Sequence, residues 1–247
     1  MKSTLIVVVL VGLCLVGSVV RAQDSNGIQT ACTIGVYDKY LCQWSGNVPD
    51  RRTSIQADVG VTLPSGLGID VWTARQIGAK KDGVDGNEID LTLSWSGEIL
   101  GLTVAPALAY YDFSPLAAGR TDNVWAPSVK VSKSYGKDLS IAPFIRVEGD
   151  IPEKGSSFSG GMYTSVGVDL NAAITKALLF AFSPYVTYDN GDYSADRNYI
   201  CGQVASLQYV TGNWTVVLPS FVLTSPLESD SSRKLETCLG CSAKYAF

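Results

Sequence analysis

The side chains able to do chemistry here are cysteines, carboxylates, lysines and arginines, because histidine is absent from all 247 residues. That excludes a Ser-His-Asp triad, a Cys-His dyad and a His-ligated zinc site. Six cysteines are present: Cys14, Cys32, Cys42, Cys201, Cys238 and Cys241. Cys238-Leu239-Gly240-Cys241 has the spacing of a redox centre or of half a zinc site. A redox pair belongs at a helix N-terminus in a βαβ setting, which the flanking sequence does not offer. Cys32 and Cys42 are wrongly spaced to complete a zinc site. The cysteines therefore read as structural. One disulfide is a candidate, Cys238–Cys241, provided that Gly240 bends the chain, because residues three apart in a regular strand face opposite ways. The acidic run from Asp189 to Asp196 lacks the spacing and the closing Glu of an EF-hand, so it reads as a solvated loop. No cofactor or metal is expected.

Eight further charged residues stand at alternate positions in otherwise apolar or small-residue segments: Asp58, Asp70, Asp90, Lys130, Arg146, Glu148, Asp169 and Lys244. In Ser54–Leu63, for example, Ile55, Ala57, Val59, Val61 and Leu63 alternate with Gln56, Asp58 and Thr62. Ile89–Trp95 and Leu139–Glu148 repeat the pattern. Alternation of this kind puts one set of side chains on each face of a strand. The polar set is rich in Ser, Gly and Ala rather than Lys and Glu, which suits a crowded lumen with the apolar set facing lipid. The eight charged residues are then the candidate pore lining.

Composition agrees. Charged residues make up only 17% of the chain and hydrophobic ones 46%, with a net charge of −4. There is no positive excess for nucleic-acid binding, and the chain is too apolar for disorder. Lys2 followed by the apolar run Leu5–Val20 and by Val20-Arg21-Ala22 reads as a signal peptide cut after Ala22. The run is shorter than the roughly 20 residues of a spanning helix. Residues 1–22 are thus expected to be removed, leaving 23–247 as one domain.

Twelve strands are predicted, at 32–43, 54–63, 68–78, 87–95, 102–113, 124–134, 139–148, 159–170, 178–188, 199–210, 214–223 and 238–247. The connections alternate between long ones of 8 to 14 residues and short ones of 3 to 7. Long and short connections on opposite rims, an even strand count and strands of about 10 residues are the marks of an all-β, transmembrane, antiparallel up-and-down β-barrel. Aromatic residues gather near strand ends, as interfacial girdles require: Trp95, Tyr110, Tyr111, Phe113, Trp125, Tyr135, Tyr185, Tyr188, Tyr199, Tyr209, Trp214 and Tyr245. The chain closes on Tyr245-Ala246-Phe247, which resembles the insertion signal read by the barrel assembly machinery. Five prolines inside the strands, Pro106, Pro127, Pro143, Pro184 and Pro219, conflict with an unbroken ladder.

Three stretches together resemble the TorF family of small Gram-negative outer-membrane porins. They are Gly35–Tyr40, then Ser54–Asp58 leading into Ser65–Trp72, then Asn87–Leu91. Where the family usually has an Arg-Gly pair and a Ser-Gln, this chain has Leu41-Cys42-Gln43-Trp44-Ser45. The resemblance covers about the first hundred residues, and implies passive transport. The expected function is a weakly cation-preferring outer-membrane channel for small polar solutes or ions. The alternative is a closed structural or surface-binding barrel. Enzymatic activity is not expected, since outer-membrane enzymes generally rely on a histidine. The expected partners are outer-membrane lipid, the assembly machinery and the passing solutes, with no nucleic acid.

Overall fold

The computed structural model describes residues 27–78, 87–113, 123–156, 159–191, 197–227 and 234–247. The expected signal peptide lies outside the described residues. Thirteen strands form: β1 (Gln29–Tyr37), β2 (Ser54–Thr62), β3 (Leu67–Gln76), β4 (Glu88–Trp95), β5 (Gly97–Ile99), β6 (Leu102–Asp112), β7 (Val124–Ser132), β8 (Leu139–Pro152), β9 (Gly161–Ala173), β10 (Leu178–Asp189), β11 (Asn198–Thr211), β12 (Trp214–Pro226) and β13 (Glu236–Ala246). All pairings are antiparallel, and every strand except β4 and β5, which do not pair with each other, pairs with the strands next to it in sequence. β1 pairs with β13 and β4 pairs with β6, so the sheet closes on itself. β5 prolongs β4 against the same partner strand, β6, so the ring has twelve staves.

Closure removes the free edges that an open sheet would expose. It also fixes the ends. The first and last strands meet at Ala31–Ala246, beside the short turns. One strand stops well short of its expected end: β1 ends at Tyr37 rather than at 43, and the chain then leaves the wall. Several later strands run past their expected ends, β8 reaching Pro152 and β12 reaching Pro226.

The packing is inverted relative to a water-soluble protein. Ser54, Ser165, Thr187 and Asp189 are fully buried, while Ile69, Leu91, Val166 and Leu239 are about half exposed on the outer wall. Outer-wall aromatics form two belts. Tyr110 stacks near Trp125, and Tyr188 near Tyr199, at the long-loop rim. Tyr245 contacts both Trp214 and Phe247 at the short-turn rim. Three of the expected girdle residues depart from this. Tyr111 and Tyr185 point inward, because their strands alternate and the odd positions of β6 and β10 face the lumen, and Phe113, just past β6, lines the lumen beside Tyr111.

The prolines sit where the ladder is interrupted. Pro106 lies opposite the break between β4 and β5. Pro127 and Pro184 fall in unpaired gaps of the β7–β8 and β9–β10 ladders. Pro143 follows the last β7–β8 pair, and Pro219 sits in a register shift shared by β11–β12 and β12–β13. Proline cannot donate to a neighbouring carbonyl, so the pairing skips it rather than leaving an acceptor facing it.

Candidate functional site

The lumen is not an empty tube. After Tyr37 the chain turns inward, and residues 38–53 form a loop inside the barrel. Its base is tied to the wall: the Asp38 amide donates to the Leu239 carbonyl, the Leu239 amide donates to the Asp38 carboxylate, and Lys39 and Arg51 both reach Glu236, at 3.0 and 2.5 Å. Within the loop, Tyr40 and Asp50 form an isolated bridge, and Cys42 pairs with Gly46 and Asn47 in a tight turn. The Tyr40 hydroxyl donates to Glu88.

The tip crosses the lumen. The Trp44 ring packs 4.7 Å from Tyr185 of β10 and 6.1 Å from Phe144 of β8, and the Arg146 guanidinium sits 5.0 Å from it. The Tyr185 hydroxyl donates to the Gln43 carbonyl. β8 is six staves from β1 in either direction, so the loop spans the ring. Gly46 has φ +68°, and a Cβ there would lie 3.2 Å from the Thr224 hydroxyl of β12. Only a residue without a side chain fits that conformation and that wall at once. On the same stretch of wall, Gly202, paired with Thr224, makes room for the Tyr185 ring, which occupies the space where a Cβ would stand.

Two cavities lie within the barrel. One, of about 320 Å³, opens toward the short turns and is lined by Asp58, Gly60, Thr62, Asp70 and Lys244 among others. The other, of about 400 Å³, lies between the loop and the wall of β3, β4, β6, β8 and β9. Asp70, Trp72, Glu88, Asp90, Tyr111, Arg146, Glu148, Asp150 and Tyr163 line it, with residues 40–45 from the loop. Asp70 belongs to both cavities, so the β3 wall is continuous past the loop.

The eight charged residues singled out from the alternation all project inward, in two groups. Asp58, Asp70, Asp90, Arg146, Glu148 and Lys244 line the cavities, with Asp58 also accepting from the Thr33 amide at 3.1 Å. Lys130 and Asp169 form an ion pair with each other at 2.7 Å, Asp169 also accepting from Ser183 and Lys130 lying 4.3 Å from the Phe144 ring. Arg146 is likewise paired with Glu148. The bases of β7 and β8 are thus matched by carboxylates of their own side. The acids of β2, β3 and β4 face the lumen with Lys244 as the base among them.

The Cys238–Cys241 disulfide does not form; both thiols are free. β13 runs straight through Gly240, which keeps its pairing with Tyr37 and Ser220. Cys238 is buried and its thiol donates to the Lys39 carbonyl, whereas Cys241 is exposed on the outer wall. Tyr245 lies on the closing strand, and Phe247, just past its end, contacts the Tyr245 ring. Of the acidic run after β10, Asp189 is fully buried and accepts from the Gly191 amide at 2.9 Å; residues 192–196 lie outside the described residues. Among the described residues no three Cys, Asp or Glu side chains converge as metal ligands.

Sequence reasoning missed the inward loop, and with it Tyr40, Trp44, Trp72, Glu88 and Asp150. A signal was present. Trp44 sits in a stretch expected to be surface loop, close to Gly46, and an aromatic residue beside a glycine suits a tip that packs closely against a wall.

A closed, twelve-stave antiparallel ring with apolar side chains outward and polar ones inward defines a class, the outer-membrane β-barrels. Solved structures share the fold. The NanC porin aligns with a TM-score of 0.57 at 11% identity, over 87% of this chain and 98% of that one. The KdgM porin, solved in complex with disordered oligogalacturonate, aligns at 0.55 and 12% identity, over 89% and 99%. An outer membrane channel from Pseudomonas putida F1 aligns at 0.56 and 10% identity, over 91% and 98%. Neither a protein-family model nor a curated protein sequence matches the chain.

Proposed function

We propose that this protein is a non-enzymatic outer-membrane channel of a Gram-negative bacterium, passing small polar solutes or ions by diffusion with a weak preference for cations. Residues 1–22 are its export signal, and the closing strand with Tyr245 and Phe247 is what the barrel assembly machinery engages. The motifs shared with the TorF family support the same reading. The observation that carries it is Asp70, which faces both cavities and gives a solute one polar wall past the loop. Six acids, Asp58, Asp70, Glu88, Asp90, Glu148 and Asp150, line the two cavities against the two bases Arg146 and Lys244. A narrow lumen weakens dielectric screening, so this excess favours positive solutes. An anionic sugar chain such as the oligogalacturonate seen with KdgM suits such a lining poorly.

The reversal potential across a salt gradient in planar bilayers tests the proposal. A potential of cation-selective sign, largest at low salt, supports it; anion selectivity defeats it. The closed-barrel reading has one observation in its favour, the seating of Trp44 across the ring. Absence of conductance from protein whose gel mobility shifts on boiling would select that reading.

A further inference from the structure

The cavity of about 400 Å³ beside the loop combines two kinds of wall. Tyr40, Trp44, Trp72 and Tyr111 supply aromatic surface, and Asp70, Glu88, Asp90 and Asp150 supply carboxylates, while the single base of the chamber, Arg146, is already engaged by Glu148 and by the Trp44 ring. Glu88 and Asp90 project side by side from one face of β4, and one oxygen of Asp90 is buried with no hydrogen-bond partner. Carboxylates held together away from water are costly when all are charged; a proton shared between Glu88 and Asp90, which hydrogen-bond each other, offsets that cost in the empty chamber, and a bound positive charge offsets it in its place. The spacing is wrong for a bare metal ion, since no three of these side chains converge as ligands. A larger cation, whose charge is spread over N–H donors and whose carbon body lies on ring faces, satisfies both walls together. The volume is in the range of small-molecule sites.

We infer that the chamber between the inward loop and strands β3, β4, β6 and β8 is a binding site for an organic cation bearing ammonium or guanidinium groups. The inference rests on the lumen being reachable by solute, and it names the solute class. Putrescine is the probe, with 1,4-butanediol as its uncharged counterpart and glutarate as an anion of similar length.

Binding is measured by titration calorimetry on the refolded full barrel in detergent, and blockade is measured as transient interruptions of single-channel potassium current. Putrescine is expected to bind and block, with both effects weakening as salt rises. The diol and glutarate are expected to do neither. Glu88→Gln with Asp90→Asn, which preserves shape, is expected to weaken binding by about tenfold or more. Trp72→Ala is expected to weaken it by about 3- to 30-fold. The exposed-turn variant Lys137→Gln should bind as the parent does. Putrescine that binds no better than butanediol, or equally well to the carboxamide variant, would overturn the inference even if the channel conducts potassium. Putrescine binding without any conductance would keep the inference and remove the channel reading.

Discussion

Gly46→Ala should loosen the inward loop without harming the barrel. Gly46 holds φ +68°, in the left-handed region where an L-residue costs about 1–2 kcal/mol. The new methyl would also lie 3.2 Å from the Thr224 hydroxyl oxygen and 3.7 Å from Ile200, on a wall held by two ladders. Together these amount to about 2 kcal/mol against the seated loop, or a roughly 30-fold shift toward the unseated one. Two readouts follow. Single-channel conductance should rise, because Trp44 no longer packs against β8 and β10. Maleimide should reach Cys42 faster. Thr224→Ala added to Gly46→Ala should restore part of the seating, since it relieves the contact but not the backbone conformation. By itself Thr224→Ala should change little, because that hydroxyl is buried without a hydrogen-bond partner. A Gly46→Ala barrel that is folded by gel mobility, yet matches the parent in both conductance and labelling, would refute the crossing of the lumen by this loop.

Three further outcomes are expected. Val59→Arg or Ile141→Arg, on the outer face, should cost roughly 2–4 kcal/mol near the midplane, whereas Thr62→Arg or Ala142→Arg, on the inner face, should be milder; denaturant titration of refolding into lipid compares them, and equal costs would contradict the facing. Asp58, Asp70 and Asp90 changed together to Asn should move the reversal potential toward zero while leaving heat-modifiable mobility intact, most visibly at about 0.01 M salt where the Debye length is about 30 Å. Burial, with the nearby Glu88 charge, pushes the Cys42 thiol above its ordinary value, so the protonated form persists past about pH 8.5 and labelling there should be slow. The seated loop should correspondingly lose stability as pH rises above that ordinary value. Labelling at the rate of an unstructured thiol at about pH 8.5 would contradict the placement of Cys42 inside the lumen.

The sequence alone carried the barrel because period-two alternation is a local property. Val59 and Ile141 face lipid, and Asp58 and Arg146 face inward, in any register that keeps each strand straight. Loop lengths then ordered the rims, and the ring followed. Three features needed the folded chain. Closure of β1 on β13 brought Lys39 and Arg51 to Glu236, residues far apart in sequence, and that contact directs the chain inward after Tyr37. The charge pair Lys130–Asp169 depends on which inward side chains face each other across β7, β8 and β9, which composition leaves open, whereas Arg146 and Glu148 are neighbours on one face of β8 by alternation alone. Cys238 and Cys241 remained apart because the ladder held Gly240 straight, an outcome of pairing on both sides of β13 rather than of the glycine's own freedom. Alternation states which face a residue takes. Only the closed ring decides what it meets there.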